Sequence, residues 1–143
     1  MRTFKSEYQK AHLNLYHTVY GMLYREKQFF SNFGLTSNQY NVLRILRGQN
    51  GKPVSIKDIR SRMLDRGSDV GRIIVRLEKK GLVEKMICEN DRRAMDIIIS
   101  EKGLTLLSKI GDASSKEILR SDVHKLTEQQ AEKLNQLLDI IRS

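Results

Sequence analysis

Helix-start signals in the middle of the chain constrain its fold more than any other sequence feature. Thr36 and Gln39 have the spacing of a capping box, in which the threonine hydroxyl accepts from the amide of Gln39 and the glutamine side chain reaches back. Ser55 starts a second segment in the same manner, and Ser68 follows a turn over residues 64–67 as a third N-cap. The pattern predicts short helices in close succession, joined by tight turns.

These signals are followed by a helix that ends at a glycine and then by a β-hairpin. Gly81 ends the helix that Ser68 opens, and its residues expected to face inward are Val70, Ile73, Ile74 and Leu77. Residues 82–88 and 94–99 favour β-strands, and the polar tip between them, residues 89–93, favours a turn. Two short helices joined by a tight turn and followed by a hairpin with a basic tip predict a winged helix-turn-helix.

Long amphipathic helices are predicted on both sides of this centre. Residues 7–30 contain no proline and a single glycine, and their apolar side chains recur at helical spacing. Residues 101–120 and 127–142 favour two further helices, the first capped by Ser100 and the second opened by Thr127 and carrying an apolar stripe. The fold class expected is mostly α (α+β), in one domain of residues 1–143, and the apolar stripes need a partner that covers them.

The net charge of the chain indicates which class of partner it binds. Lys and Arg number 26 against 17 Asp and Glu, a formal net charge of +9, which favours a polyanion and nucleic acid first. A membrane surface is the alternative, but no apolar run approaches the roughly 20 residues that span a bilayer. The N-terminus lacks the pattern of a signal peptide, so a cytoplasmic chain is expected. Cys88 is the single cysteine and the three histidines are scattered, which predicts neither a metal nor another cofactor.

The outward face of the predicted recognition helix is basic. With its apolar residues committed to the core, the positions left outside are Ser68, Asp69, Gly71, Arg72, Val75, Arg76 and Lys79. Phosphates are bound by Arg, Lys and short hydroxyls, and guanine is bound by a forked donor such as Arg. Arg72 and Arg76 suit both tasks, which predicts contact with duplex DNA.

At these residues the chain resembles the MarR family of regulators. The resemblance is carried by residues 68–83 (SDVGRIIVRLEKKGLV), by the wing Asp91-Arg92-Arg93-Ala94 and by residues 99–103 (ISEKG). It implies a homodimer, with residues 1–34 and 100–143 as dimerisation helices and residues 35–99 as the lobe that binds a palindromic operator. It also implies repression relieved by a small phenolic or lipophilic ligand. In the family pattern the residue at Asp91 orients basic groups and the residue at Arg93 enters the minor groove.

Plainer interpretations stand beside these. A helix carrying Arg72, Arg76, Lys79 and Lys80 could be a solvated face, and Arg92 and Arg93 could be simple turn residues. His17, Tyr20 and Tyr24 lie on overlapping faces of the first helix and could line a ligand pocket, or they could pack in a core or an interface. Cys88 could sense oxidants or be an ordinary strand residue.

Two other classes of function compete with a DNA-binding regulator. A winged helix can bind protein, but the basic recognition helix argues against that class. An enzyme finds no support, because the sequence has no Gly-rich phosphate loop, no HExxH motif and no evident His and acid partner for Cys88.

Overall fold

The computed structural model describes residues 3–87, 95–117 and 123–143. The chain forms two compact units, Met1–Lys109 and Ile110–Ser143. The elements in chain order are α1 (Glu7–Ser31), α2 (Ser37–Arg47), β1 (Val54–Ser55), α3 (Ile56–Arg62), α4 (Val70–Lys79), β2 (Val83–Ile87), β3 (Met95–Ile99), α5 (Glu101–Glu117), a 3₁₀ turn (Val123–Lys125) and α6 (Glu128–Arg142). The predicted fold class and order of elements are confirmed.

The predicted helix starts hold at four of five positions. Thr36 and Thr127 each cap a helix in a complete capping box, and the Ser55 hydroxyl accepts from the amide of Asp58 at 3.1 Å. Ser100 caps α5, its hydroxyl accepting from the amide of Gly103 at 3.1 Å. These starts depend on side chains three residues apart, which is why the sequence alone identified them.

The fifth start is wrong by one residue. Asp69, not Ser68, is the N-cap of α4, and its carboxylate accepts from the amide of Arg72 at 3.1 Å. Ser68 is drawn into the preceding turn, where its hydroxyl donates to the carbonyl of Asp65 at 2.6 Å. Both residues are good caps, and the turn before the helix decided between them.

The C-terminus of α4 follows the prediction. Gly81 has a φ of +72°, in the left-handed region that favours glycine. Its amide donates to Glu78 and the next amide, of Leu82, donates to Leu77, which is the Schellman pattern. The glycine thus turns the chain from α4 directly into β2.

The sheet of the first unit has the order β1-β3-β2, and both pairs are antiparallel. Val83 lies opposite Ile99 at the base of the predicted hairpin, and Ile87 lies opposite Met95 at its far end. The two residues after Pro53 form strand β1, with Val54 opposite Ile97. That pairing joins residues far apart in sequence, so no local pattern indicated it.

Helices α2, α3 and α4 pack with β3 around the core of the first unit. The apolar residues that are fully buried there include Val42, Leu43, Ile59, Val70, Ile74, Leu77 and Ile97. Because α4 contributes one buried face to this core, its opposite face is fixed toward solvent.

The terminal helices leave much of their apolar surface exposed. In α1 the buried residues are Phe29 and Phe30, both at its C-terminal end. Large side chains along the rest of α1 are exposed, namely Leu13, Tyr16, Val19, Tyr20, Leu23 and Tyr24. Within Glu128–Arg142 no residue is buried, and Leu137, Ile140 and Ile141 are exposed. Apolar side chains of both predicted stripes are thus exposed among the residues that the structure describes.

Candidate nucleic-acid interface

Helix α4 presents two exposed arginines on the side opposite its buried residues. Val70, Ile74 and Leu77 have no exposed surface, whereas Arg72 and Arg76 are exposed. Ile73, expected to face inward, is half-buried at the edge between the two faces. Since residues four apart lie on one side of a helix, the two guanidinium groups share an edge.

The N-terminal end of α4 carries the other predicted contact residues. The carboxylate of Asp69 is exposed and is already engaged with the backbone of Arg72. Gly71 has room for a side chain, because an added Cβ would lie 3.6 Å from the nearest atom, an oxygen of Asp69. Ser68 is half-buried in the turn. The exposed side of the first turn of α4 is therefore held by the Asp69 cap, while Val70 is buried on the other side.

Two lysines at the C-terminal end of α4, which are adjacent in the sequence, have different surroundings in the structure. Lys79 is exposed. The ammonium of Lys80 donates to the carbonyl of Gly34 and, at 3.2 Å, to Oε1 of the buried Gln39. Lys80 thus joins α4 to the start of α2, a structural role that sequence reasoning missed because its partners lie more than forty positions away.

An ion pair joins α4 to the hairpin. Nζ of Lys85 in β2 lies 3.6 Å from a carboxylate oxygen of Glu78. Partly exposed pairs of this kind contribute little to stability, so the contact matters chiefly for where β2 runs relative to α4. The hairpin leaves the core beside the C-terminal half of α4.

The predicted wing residues Asp91, Arg92 and Arg93, and Cys88, lie outside the described residues. The strands that lead to the tip are described as far as Ile87 and Met95. The hairpin is confirmed, and the roles assigned to its tip stay predictions.

The aromatic cluster predicted on α1 lies at the surface. Tyr20 and Tyr24 are each 66% exposed and His17 is exposed. The rings of Tyr16 and Tyr20 stack with centroids 6.1 Å apart. Two cavities of about 580 Å³ each are lined by other residues. One lies between α1, α2 and the turn before α4, and the other between the loop after α1 and the first turns of α5.

The described ranges contain neither a cluster of metal ligands nor a membrane-spanning helix. In residues 3–87, 95–117 and 123–143 no three His, Cys, Asp or Glu side chains come together as metal ligands. None of the helices in these ranges is both long enough and apolar enough to cross a membrane.

Sequence comparison connects the chain with transcription regulators. A model of the MarR family matches residues 33–94, which hold α2 to β2 and the hairpin tip. The transcriptional repressor IacR of Pseudomonas putida is 28% identical over 103 residues, 72% of this chain and 60% of that protein. The regulator MgrA of Staphylococcus aureus is 29% identical over 116 residues, 80% of this chain and 75% of that protein. The chain thus spans less than two thirds of the first of these relatives.

Structural comparison extends the likeness beyond the matched segment. AbsC, a MarR family transcriptional regulator from Streptomyces coelicolor, superposes with a TM-score of 0.84 at 23% identity, over 99% of this chain and 96% of that one. A mutant MarR from E. coli, solved in complex with operator DNA, superposes with a TM-score of 0.80 at 17% identity, over 98% and 99%. At these identities the likeness establishes the fold.

Proposed function

We propose that this chain, whose residues 33–94 match the MarR family of transcription regulators, is a homodimeric repressor of a palindromic DNA operator. The observation that carries the proposal is the two-sided character of α4, whose apolar face is fully buried while Arg72 and Arg76 stand exposed on one edge. A helix of this kind fits the major groove of B-DNA, which is about 12 Å wide. The family is one of DNA-binding regulators and not of enzymes.

In the proposed complex α4 lies in the major groove. Arg72 and Arg76 bind base edges or phosphates, since a guanidinium can donate to O6 and N7 of guanine or to phosphate oxygens. Lys79 binds a phosphate near the C-terminal end of the helix. Ser68, Asp69 and Gly71 stand where the helix enters the groove, and Asp69 retains its cap while it does so.

The wing completes the proposed contact. The antiparallel β2–β3 hairpin extends beside α4, and its tip holds Asp91, Arg92 and Arg93 in the sequence. We propose that Arg93 enters the minor groove next to the major groove occupied by α4, with Asp91 orienting the basic groups. A narrow minor groove concentrates negative potential, which favours an inserted arginine.

Dimerisation is proposed through the terminal helices. Support comes from the exposed apolar side chains along α1 and from Leu137, Ile140 and Ile141 on α6, which water would otherwise contact. A twofold dimer presents two copies of α4 in opposite orientations, so its operator is a palindrome with half-sites one helical turn apart or a multiple of that distance.

A small aromatic or lipophilic ligand is proposed to modulate operator binding. His17, Tyr20 and Tyr24 offer rings with polar tips on α1, and they gain a partner surface when a second copy covers that helix. Addition of substituted phenols to the protein–operator complex is expected to release DNA in a gel shift, and His17→Ala with Tyr24→Ala is expected to remove the effect.

Selection from a randomised duplex pool tests operator binding directly. The wild-type chain is expected to enrich a palindromic consensus, and binding to that duplex in an anisotropy titration should weaken steeply with salt because Lys and Arg displace condensed counterions. A pool that shows no enrichment, with equal affinity for every duplex, would overturn the proposal of a sequence-specific regulator.

A further inference from the structure

The turn between α3 and α4, residues 64–69, has almost no packing of its own. Met63 before it and Val70 after it are buried, with 5% and 0% of their surface exposed. Between them Leu64 is 89% exposed, and the other residues of the turn are exposed or, for Ser68, half-buried. Apolar burial therefore holds the two ends of the segment and leaves its middle to hydrogen bonds.

Two asparagines of α2 supply hydrogen bonds to this turn. Oδ1 of Asn41 accepts from the amide of Leu64 at 3.0 Å, and Nδ2 of Asn38 donates to Oδ2 of Asp65 at 3.1 Å. Asn38 and Asn41 are three residues apart, so both project from the same side of α2, and both are half-buried. Two neighbouring side chains of α2 thus form hydrogen bonds with two consecutive residues of the turn.

Asp65 connects these hydrogen bonds to the residues just before α4. Its second carboxylate oxygen accepts from the amide of Gly67 at 3.0 Å, and its carbonyl accepts from the amide of Ser68 at 3.2 Å and from the hydroxyl of Ser68 at 2.6 Å. Asp69, the cap of α4, follows immediately. The hydrogen bonds run from α2 through Asp65 to the residue before the recognition helix.

We infer that Asn38 and Asn41 are positioning residues for DNA recognition: they hold the turn so that the N-terminal end of α4 enters the groove at one fixed depth. This inference rests on the proposed function. Specific binding needs that fixed entry, because base edges are read only when donors and acceptors align, whereas phosphate contacts tolerate small displacements. Loss of the hydrogen bonds from Asn38 and Asn41 to the turn therefore lowers specific affinity for DNA more than non-specific affinity.

The two asparagines use opposite ends of their amides, which permits a sharp test. Asn41 accepts, so Asn41→Asp keeps an acceptor and Asn41→Ala removes it. Asn38 donates, so Asn38→Asp removes the donor and places a second carboxylate beside Asp65. The exchanged pair Asn38→Asp with Asp65→Asn restores a donor and an acceptor at unchanged net charge.

The experiment measures, for each variant, affinity for the duplex enriched by the wild-type chain and for a shuffled duplex of equal length. Asn41→Ala and Asn38→Asp are expected to reduce the ratio of the two affinities by about 2- to 10-fold, the range that one net hydrogen bond supports. Asn41→Asp and the exchanged pair are expected to recover most of the ratio. Amide exchange at Leu64 and Gly67 is expected to accelerate in the two weakened variants alone.

The outcomes separate this inference from the proposed function. If the wild-type chain itself shows no preference for either duplex, the proposed function fails. If the wild type discriminates and Asn41→Ala and Asn38→Asp discriminate equally well, the positioning role is overturned. It is overturned also if both affinities fall in parallel with stability, because a merely structural contact would act in that way.

Discussion

The basic side chains of α4 differ in their surroundings, and this difference determines which of them can take part in the proposed interface. Arg72, Arg76 and Lys79 extend into solvent, while Lys80 is held by carbonyl and amide oxygens of the first unit. A row of four basic residues in the sequence therefore becomes three cations available to DNA and one that joins helices.

Removal of either arginine is expected to weaken operator binding. Arg72→Ala and Arg76→Ala should each cost about 1–3 kcal/mol of specific binding, the range for a bidentate contact to a base. Because both side chains are exposed, the circular dichroism spectrum and the unfolding midpoint should stay near those of the wild type. Arg47→Ala, which removes an exposed cation from the last turn of α2, serves as the control. An equal loss of operator affinity in Arg47→Ala would mean that the effect comes from net charge alone.

Asp69 offers a second residue-level prediction, because its cap and its charge can be changed separately. Asp69→Ala removes the acceptor for the Arg72 amide and should lower the free energy of unfolding by about 1 kcal/mol. Asp69→Asn keeps an acceptor and removes a negative charge beside the proposed phosphates, so stability should change little while DNA affinity rises. Urea unfolding and anisotropy measure the two effects. Unchanged affinity for Asp69→Asn would place this carboxylate away from DNA.

At the scale of elements, close approach of the chain segments explains a glycine that propensity alone would disfavour. Gly103 lies in the first turn of α5, where a Cβ would stand 2.4 Å from the carbonyl oxygen of Leu82 and 2.7 Å from Cγ1 of Ile99. That carbonyl also accepts from the amide of Ser100 at 3.0 Å, so it is not free to move aside. The start of α5 can lie against the β2–β3 hairpin only if residue 103 lacks a side chain.

Two glycines of α5 provide a matched pair for testing this. Gly103→Ala is expected to destabilise the protein by about 1–3 kcal/mol, since overpacking exceeds the gain in helix propensity. At Gly111 no atom of the described residues lies within 4 Å of an added Cβ, so Gly111→Ala should stabilise the protein by roughly 0.5–1 kcal/mol. The midpoint and slope of urea unfolding give both values. A stabilising Gly103→Ala would mean that the hairpin and α5 are less closely packed than described.

The dimer proposed for the whole protein covers the exposed apolar stripes of the terminal helices with a second copy. Ile140 and Ile141 are 69% and 63% exposed on α6, so their replacement removes little packing among the described residues. If α6 forms part of the dimer, Ile140→Lys with Ile141→Lys should convert the dimer to a folded monomer in sedimentation, and operator affinity should fall with it. Ile87→Lys, at a residue 70% exposed on β2, is the matched control and should remain dimeric. An unchanged mass for the α6 variant would exclude α6 from the interface.

Local interactions explain how much of this protein its sequence determined by itself. The capping boxes at Thr36 and Thr127, the Gly81 terminus and the two β-favouring runs of the hairpin each involve residues within a few positions of one another. Pattern and propensity therefore sufficed for the element order and for the exposed edge of Arg72 and Arg76. The arginines could be assigned to that edge because their apolar neighbours had to be buried.

Only the tertiary structure decided the contacts between distant segments. The fold brings Lys80 to its oxygen partners and pairs β1 with β3. It also brings Asn38 and Asn41 to the turn before α4. Each of these contacts depends on which surfaces meet when the core closes, and that information is spread over the whole chain and absent from any local run of residues.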